Sequence, residues 1–333
     1  MVKRLPNTPL LEDIIHRTRL PWYVATTVVA VVLLLLLILV VYAESGFTNQ
    51  IDWGLWRLGL QPAIIIYILV MYPVMKNLWS HVVKSCLLLV LEEDEVNITS
   101  KITSYNRRRE WIALLVGAVF VVVLSLPWGW IQFWSDIYTF STSIVSFSLL
   151  AWLIYDVITN TMHLTQLNRK YMKIDVFNTD ALAPIAKWSL SVSFAFVGGI
   201  SISVAFQSLD NLLSLPNIII YSILVCVTII IFFISMWSTH NAMVRAKKHE
   251  LLMVRRNLED ARRNLKAQVS DGLEGGMERI YSAVATWGLY EKQVQETREW
   301  PYNASIIRRL ALSILSPAIV YLLKILFGSR LSI

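Results

Sequence analysis

The chain has 333 residues, 56% of them apolar and 16% charged, with a net charge of +7 and a mean hydropathy of +0.56. In soluble domains about a quarter of the residues are charged. This composition therefore excludes a soluble domain with a single hydrophobic core and predicts a membrane protein. No DNA- or RNA-binding motif accompanies the positive charge, so nucleic acid is not an expected partner.

The lipid bilayer is the expected environment because six apolar runs are each long enough to cross it. About 20 mainly apolar residues cover roughly 30 Å of hydrocarbon, and Trp or Tyr stands at most ends of these runs, as is typical of the headgroup level. The predicted spans are 22–42, 58–75, 111–134, 138–159, 188–207 and 218–237. The predicted fold class is an all-α polytopic membrane helix bundle.

Residues 1–20 are predicted to form a short interfacial helix before the first span. Thr8 suits the N-cap and Pro9 suits the first helical position, and the apolar residues that follow share one face. A helix of this kind can lie on a membrane surface. A simple leader into the first span is a compatible interpretation.

Lys and Arg are concentrated on one side of the predicted spans. The loops 43–57, 135–137 and 208–217 contain one cation, Arg57, and four acids. The opposite loops contain nearly all other cations, and the positive-inside rule places such loops in the cytoplasm. The sequence therefore predicts a multi-pass protein of the cell (inner) membrane with a cytoplasmic N-terminus.

The predicted cytoplasmic loop 76–110 carries an acidic block at 92–95 and ends with a run of three arginines, Arg107, Arg108 and Arg109. Carboxylates can hold a divalent cation, but four consecutive residues of a helix point in different directions, which favours a solvated run. The three arginines lie one residue before the third span. They are predicted to contact anionic lipid headgroups, which attract cations at that depth.

Asp156 lies inside the fourth predicted span, near its cytoplasmic end. Ionisable residues in spans are candidates for function because an unpaired charge is costly in hydrocarbon. Lys187, at the start of the fifth span, is the predicted partner. A structural ion pair is favoured over an ion-coupling site, since coupling charges normally lie nearer the midplane.

Small residues recur every four positions along the fifth span and therefore share one helix face. They are Ser191, Ala195, Gly199 and Ser203. Such a face allows membrane helices to pack closely, with hydroxyls bonding across the contact. Helix packing is the favoured interpretation, and a hydroxyl-lined pore around an oligomer axis is the alternative.

The segment 239–299 is predicted to form a cytoplasmic helical hairpin or coiled coil. Apolar residues occupy the a and d positions of about three heptads, and no helix breaker separates Trp237 from Ala267. The heptad residues are Val244, Leu251, Val254, Leu258, Ala261 and Leu265. A second helix follows a turn at 271–276, which favours an antiparallel hairpin. A zipper between the subunits of a homo-oligomer is the alternative.

The C-terminal segment 300–333 follows the six-helix transmembrane domain, 21–238, and the hairpin. Its uncharged apolar run, 310–323, is short for a span. Two interpretations are open. The segment either forms a seventh span with Lys324 reaching outward, or it lies flat on or re-enters the membrane.

Six spans, a basic hairpin, the sequence Glu299-Trp300-Pro301 and a terminal apolar helix occur here in that order. This arrangement resembles a family of uncharacterised bacterial multi-span membrane proteins. The resemblance covers most of the chain, implies the same architecture and implies no function.

The sequence carries no catalytic, cofactor-binding or metal-binding motif. It has no Gly-rich phosphate loop, its five histidines lie outside the predicted spans, and Cys86 and Cys226 are far apart. The expected protein is neither an enzyme nor a cofactor carrier. A membrane scaffold or signalling component whose hairpin binds a cytoplasmic protein is the favoured function. An oligomeric ion channel and a secondary transporter are the alternatives, the transporter last because the sequence indicates no broken helix.

Overall fold

The computed structural model describes residues 9–45, 58–87, 106–125, 134–170, 177, 182–207, 212, 214–270, 277–300 and 304–331. These residues contain helices and no strand. The helices are α1 (Leu10–Arg17), α2 (Trp22–Ser45), α3 (Leu60–Leu87), α4 (Arg107–Ser125), α5 (Trp134–Lys170), α6 (Ala183–Phe206), α7 (Leu215–Ser270), α8 (Met277–Glu296), α9 (Ala304–Ile314) and α10 (Ser316–Leu331). The predicted N-cap Thr8, the acidic block at 92–95 and the turn at 271–276 lie outside the described residues.

The predicted all-α membrane bundle is confirmed. Within the described residues, six helices are long and apolar enough to cross a membrane: Trp22–Ala43, Leu60–Cys86, Trp134–Gln166, Ala183–Phe206, Tyr221–Ala267 and Ile306–Lys324. Their outer faces expose large apolar side chains, and on α2 the side chains of Leu35, Ile38 and Leu39 are 59–63% exposed. So large an apolar surface on the outside of a bundle is stable only in contact with lipid.

The six candidate spans are not the six predicted ones, because α4 is missing from them and the C-terminal helix is present. The first turn of α4 carries three arginines and a glutamate, and its described part ends at Ser125. The rest of α4 is apolar and packs along α5. A Cβ added at Gly117 would lie 2.3 Å from the backbone oxygen of Phe147, so α4 approaches the α5 backbone directly.

The boundary between the third and fourth predicted spans is also corrected. Trp134, predicted to end the third span, is the first residue of α5. Asp136 follows in the first turn, where a carboxylate is favourable because it faces the positive end of the helix dipole. The apolar run alone did not reveal this start, since tryptophan suits either end of a span.

The bundle has two ends. The hairpin end is the one at which α1 lies, α2 and α6 begin, and α7 leaves the bundle to pair with α8. α6 occupies the centre of the bundle and contacts α3, α7, α9 and α10. The largest buried cluster fills the space between α3, α5 and α6 and includes Trp152 and Trp188, which are 0% and 1% exposed.

This cluster continues past the hydrocarbon at the hairpin end. α3 has 28 residues and is about 42 Å long, which exceeds the roughly 30 Å of hydrocarbon. Near its end, Val82 and Cys86 are 1% exposed and belong to one cluster with Met243 of α7. Outside the hydrocarbon, the hydrophobic effect favours this burial. The bundle therefore has a packed base from which the hairpin extends.

The longest helix, α7, is continuous from the bundle into the hairpin. Its 56 residues make it about 84 Å long. A helix that runs from the sixth span into the heptad segment was predicted, and the structure confirms it. α8 then returns along α7 towards the bundle.

The packing of α9 and α10 along α6 favours a span over a flat helix for the C-terminal segment. Leu310 belongs to a buried cluster with Ala186 near the start of α6, and the Ser316 hydroxyl lies 3.0 Å from that of Ser201. Lys324 donates to backbone carbonyls at the end of α6, including that of Ala205 at 2.9 Å. The segment therefore runs beside α6 from one end to the other, as a flat helix would not.

The C-terminal span is broken in the middle. α9 ends at Ile314 and α10 begins at Ser316, with Pro317 in the first turn of α10. Proline lacks the N–H that would continue the hydrogen bonds of α9, although it suits the start of a helix. The interruption is one residue long, since the N–H of Leu315 still donates to the carbonyl of Ala311 and that of Ile319 to the carbonyl of Leu315.

Candidate functional site

The small-residue stripe of α6 contacts neighbouring helices of the same chain. It consists of Ser191, Ala195, Gly199 and Ser203. Ala195 is 4% exposed, and its carbonyl accepts a 2.9 Å hydrogen bond from the hydroxyl of Tyr67 in α3. The Ser203 hydroxyl lies 2.9 Å from that of Tyr221 in α7. The Ser191 hydroxyl donates to the backbone of its own helix. These contacts are those of a packed face.

The closest approach to α6 occurs beside the stripe, at Gly198. A Cβ added there would lie 2.1 Å from the Tyr67 hydroxyl oxygen, whereas at Gly199 the nearest atom is 3.8 Å away. Spacing along the sequence gives the helix face but does not identify the side chain that lies against it. Tyr67 thus covers the middle of the surface for which a pore was the alternative interpretation.

Asp156 is buried in the bundle without its predicted partner. It is 6% exposed, and its Oδ2 accepts a 3.1 Å hydrogen bond from Asn160 one turn later. Lys187 is exposed, and none of the ion pairs among the described residues joins it to Asp156. The charged groups that act on Asp156 are instead Glu110 and Lys76. Asp156 and Lys187 were expected to pair because they lie at similar depths in the membrane, but similar depth does not bring two side chains into contact.

Glu110 connects α1 to the bundle. The backbone N–H of Leu10 donates a 3.0 Å hydrogen bond to its carboxylate, and the Glu110 residue is 1% exposed. Burial raises the pKa of Glu110, although the Leu10 N–H and Arg107 act in the opposite direction. A second contact is the ion pair between Glu12 of α1 and Lys76 of α3. α1 is therefore docked on the bundle by polar contacts.

The three arginines predicted to contact lipid have different surroundings. Arg107 forms an ion pair with Asp13 of α1. Desolvation raises the pKa of Asp13, but Arg107 and Arg17 outweigh it, so that pKa is held below its ordinary value. Arg108 and Arg109 are exposed. Lipid contact at these two positions stays a prediction.

The predicted heptad face of α7 lies against α8 of the same chain. Val254 and Leu258 are 0% and 4% exposed, and the other four heptad residues are half-buried. Val294 of α8 is 0% exposed, and Arg255 forms a 2.8 Å ion pair with Glu291. The seam that was open to a neighbouring subunit is therefore occupied by an intrachain hairpin.

Lys247 holds the base of the hairpin, a role that the sequence did not indicate. Its ammonium donates to the backbone carbonyls of Gln295 and Thr297 at 2.8 and 3.0 Å and to the Glu299 carboxylate at 3.1 Å. Three acceptors match the three donors of an ammonium group. The side chain is 12% exposed. A cation is also favourable here because it faces the negative end of the α8 dipole.

Two further contacts fix the hairpin. The imidazole of His240 stacks on the indole of Trp300, with ring centres 3.8 Å apart, and its Nδ1–H donates to the backbone carbonyl of Glu299 at 2.7 Å. Tyr290 of α8 donates to Glu250 of α7 at 2.8 Å. Each contact joins α7 to α8 or to the segment that follows it. These contacts tie α8 and the segment after it to the part of α7 that lies nearest the bundle.

The loop between α5 and α6 also reaches the hairpin. The ring of Phe177 lies 5.4 Å from that of Tyr290. This contact places Phe177 against α8, so the residue links the connection between α5 and α6 to the hairpin.

The outer face of the hairpin combines cations with exposed apolar side chains. Between positions 239 and 270, α7 contains eight Lys or Arg and three Asp or Glu. The exposed cations include Arg256, Arg262, Arg263 and Lys266. Leu252, Tyr281 and Leu289 are 58%, 68% and 66% exposed. Apolar side chains this exposed on a helical projection are typical of a binding surface.

In the part of the chain that the structure describes, no three His, Cys, Asp or Glu side chains are grouped so as to hold a metal ion. Comparison with protein-family models, curated proteins and solved structures found no match. The resemblance to a bacterial multi-span family therefore stays a prediction. The case for a function depends on the geometry of the hairpin and the bundle.

Proposed function

We propose that the protein is a non-enzymatic membrane scaffold or signalling component. In this proposal, the hairpin end faces the cytoplasm, and the outer face of the hairpin binds an acidic protein. The observation that carries the proposal is the outer face itself, which is basic and partly apolar and is supported by a base fixed through Lys247. The orientation follows from the excess of Lys and Arg at the hairpin end.

The distance of this face from the membrane favours a protein over lipid headgroups as its partner. Arg262 lies 25 residues after Trp237, about 37 Å along a continuous helix. Even a tilt of about 40° leaves it roughly 28 Å from the membrane surface. Electrostatic attraction to lipid is screened over about 8 Å at physiological ionic strength. The distal cations therefore act in solution.

Charge on α8 supports the same assignment. Helix α8 contains two Lys or Arg and three Asp or Glu, so it compensates little of the positive charge of α7. An acidic partner would gain from this excess mainly in association rate and specificity. The exposed Leu252 and Leu289 would add apolar contact with a protein partner. The phosphate backbone of a nucleic acid has no apolar surface to match them.

The test is isolation of the tagged full-length protein from its own membranes after nuclease treatment. The charge-reversed variant combines Arg262→Glu, Arg263→Glu and Lys266→Glu, and the matched control combines Arg262→Lys, Arg263→Lys and Lys266→Arg. We expect an acidic protein to co-purify with the wild type and the control, to decrease with salt, and to be lost from the charge-reversed variant. Identical co-purifying proteins in all three would refute the proposal.

The channel alternative predicts a different result. Purified protein in liposomes would then conduct ions, and Ser191→Leu with Ser203→Leu would change that flux in protein that remains folded. Selective, voltage-dependent flux would replace the scaffold proposal with the channel. We expect no flux, because Tyr67 and Tyr221 cover the stripe within one chain.

A further inference from the structure

We propose that the groove between α6 and the broken C-terminal span is a binding site for an anionic phospholipid. The groove has a volume of about 400 Å³, within the roughly 300–1,000 Å³ that is usual for small-ligand sites. Its lining is Phe194, Val197, Gly198, Arg309, Leu312, Ser313 and Ser316. The lining is therefore mostly apolar, with one cation.

The floor and rim of the groove suit an acyl chain. Val197 and Ser313 are 2% and 5% exposed and form the floor, whereas Phe194 and Leu312 are 42% and 57% exposed and form the rim. The groove opens on the outside of helices that cross the membrane, so the surrounding solvent is lipid. The hydroxyl of Ser313 is already bonded to the carbonyl of Leu310, which leaves an apolar surface.

Arg309 supplies the complementary charge for a phosphate. It lies near the start of the C-terminal span and is exposed, and no ion pair among the described residues includes it. An arginine at the headgroup end of a span attracts anionic lipid headgroups. Its planar guanidinium binds phosphate oxygens in pairs. A lipid phosphate at the hairpin side of the groove would complete the site.

The lining residues of the C-terminal span lie on both sides of the break. Arg309, Leu312 and Ser313 belong to α9, and Ser316 is the first residue of α10. The Ser316 hydroxyl also lies 3.0 Å from that of Ser201 in α6. The groove therefore follows the seam between α6 and both halves of the C-terminal span.

The site is tested by native mass spectrometry of the full-length protein with phosphatidylglycerol or phosphatidylcholine. Arg309→Gln removes the cation, and Arg308→Gln is the matched control on an adjacent exposed residue that does not line the groove. Leu312→Trp fills the groove from its exposed rim. Circular dichroism and thermal unfolding establish that each variant is folded.

We expect the wild type and Arg308→Gln to retain phosphatidylglycerol in preference to phosphatidylcholine. Arg309→Gln should weaken phosphatidylglycerol binding about tenfold and remove the preference, because a charge-assisted hydrogen-bond pair is lost. Leu312→Trp should reduce binding of both lipids. Equal effects of the two arginine variants, no lipid preference in the wild type, or displacement by inorganic phosphate with no effect of Leu312→Trp would each overturn the proposal.

Discussion

Replacement of Lys247 by methionine should open the base of the hairpin while the bundle stays folded. Methionine keeps most of the length of the lysine side chain and its apolar contacts but removes all three N–H donors. Two of the lost hydrogen bonds join Lys247 to the carbonyls of Gln295 and Thr297, at 2.8 and 3.0 Å. The side chain is only 12% exposed, so water replaces these bonds incompletely.

The expected magnitude follows from these two carbonyl bonds. A hydrogen bond contributes about 1 kcal/mol net, so their loss should destabilise closure of α8 on α7 by about 2 kcal/mol. The third acceptor, Glu299, is 48% exposed and can be solvated, so we assign it no contribution. A change of about 2 kcal/mol corresponds to a roughly 30-fold larger population of the open hairpin.

Hydrogen exchange read by mass spectrometry measures this population. We expect amide protection in α8 to fall about 30-fold in Lys247→Met and to stay unchanged in α6. Lys248→Met is the control, because Lys248 is the next residue of the same helix and is exposed. Equal loss of protection in both variants, or none in either, would refute the assignment of Lys247 as the residue that holds α8.

Three further predictions concern packing and the docking of α1. Gly198→Ala should lower the melting temperature, because its Cβ would lie 2.1 Å from the Tyr67 hydroxyl. Adding Tyr67→Phe should restore part of the loss, and strictly additive effects in a double-mutant cycle would contradict this contact. Gly288→Ala should stabilise α8 by up to about 1 kcal/mol, because alanine has the higher helix propensity and a Cβ there meets nothing within 4 Å. Urea unfolding measures this change, and a destabilised hairpin would contradict the prediction. Burial raises the pKa of Glu110, so docking of α1 should weaken as pH rises from about 4.5 through that raised pKa. Glu110→Gln should remove this pH dependence, because its amide oxygen can still accept from the Leu10 N–H. Hydrogen exchange of the α1 amides measures docking, and an unchanged pH profile in the variant would refute the prediction.

The sequence determined five of the six candidate spans among the described residues, because a run of about 20 apolar residues has few stable alternatives to a membrane helix. It also determined the heptad face, since a period of seven along α7 defines one side of a helix, and Val254 and Leu258 are buried on that side. The end of one apolar helix and the start of the next were harder. Trp134 suits either position. The interaction of Asp136 with the helix dipole favours a helix start there, but it is too small to identify that start from the sequence.

Pairwise contacts were predicted least well, because they depend on the rotation of each helix about its axis. Asp156 and Lys187 have similar depths but lie on sides that do not face each other. Lys247 looked like one of many cations in a basic helix, and only the position of the α8 terminus shows its role. The carbonyls at the end of α6 that Lys324 binds were likewise not apparent from the sequence. Both lysines bind the carbonyls at a helix C-terminus, where a cation is favourable. Only the tertiary fold shows which helix end lies near each of them.

The most direct test of the proposed function is photo-crosslinking in intact cells from the outer face of the hairpin. A photoreactive amino acid replaces Arg263, and a matched variant carries it at Leu39, a residue of the candidate span α2 that is 62% exposed. We expect position 263 to form an adduct with an acidic protein and position 39 to form adducts with lipid. Adducts from position 263 that contain only lipid, nucleic acid or a second copy of this chain would contradict a hairpin that binds an acidic partner.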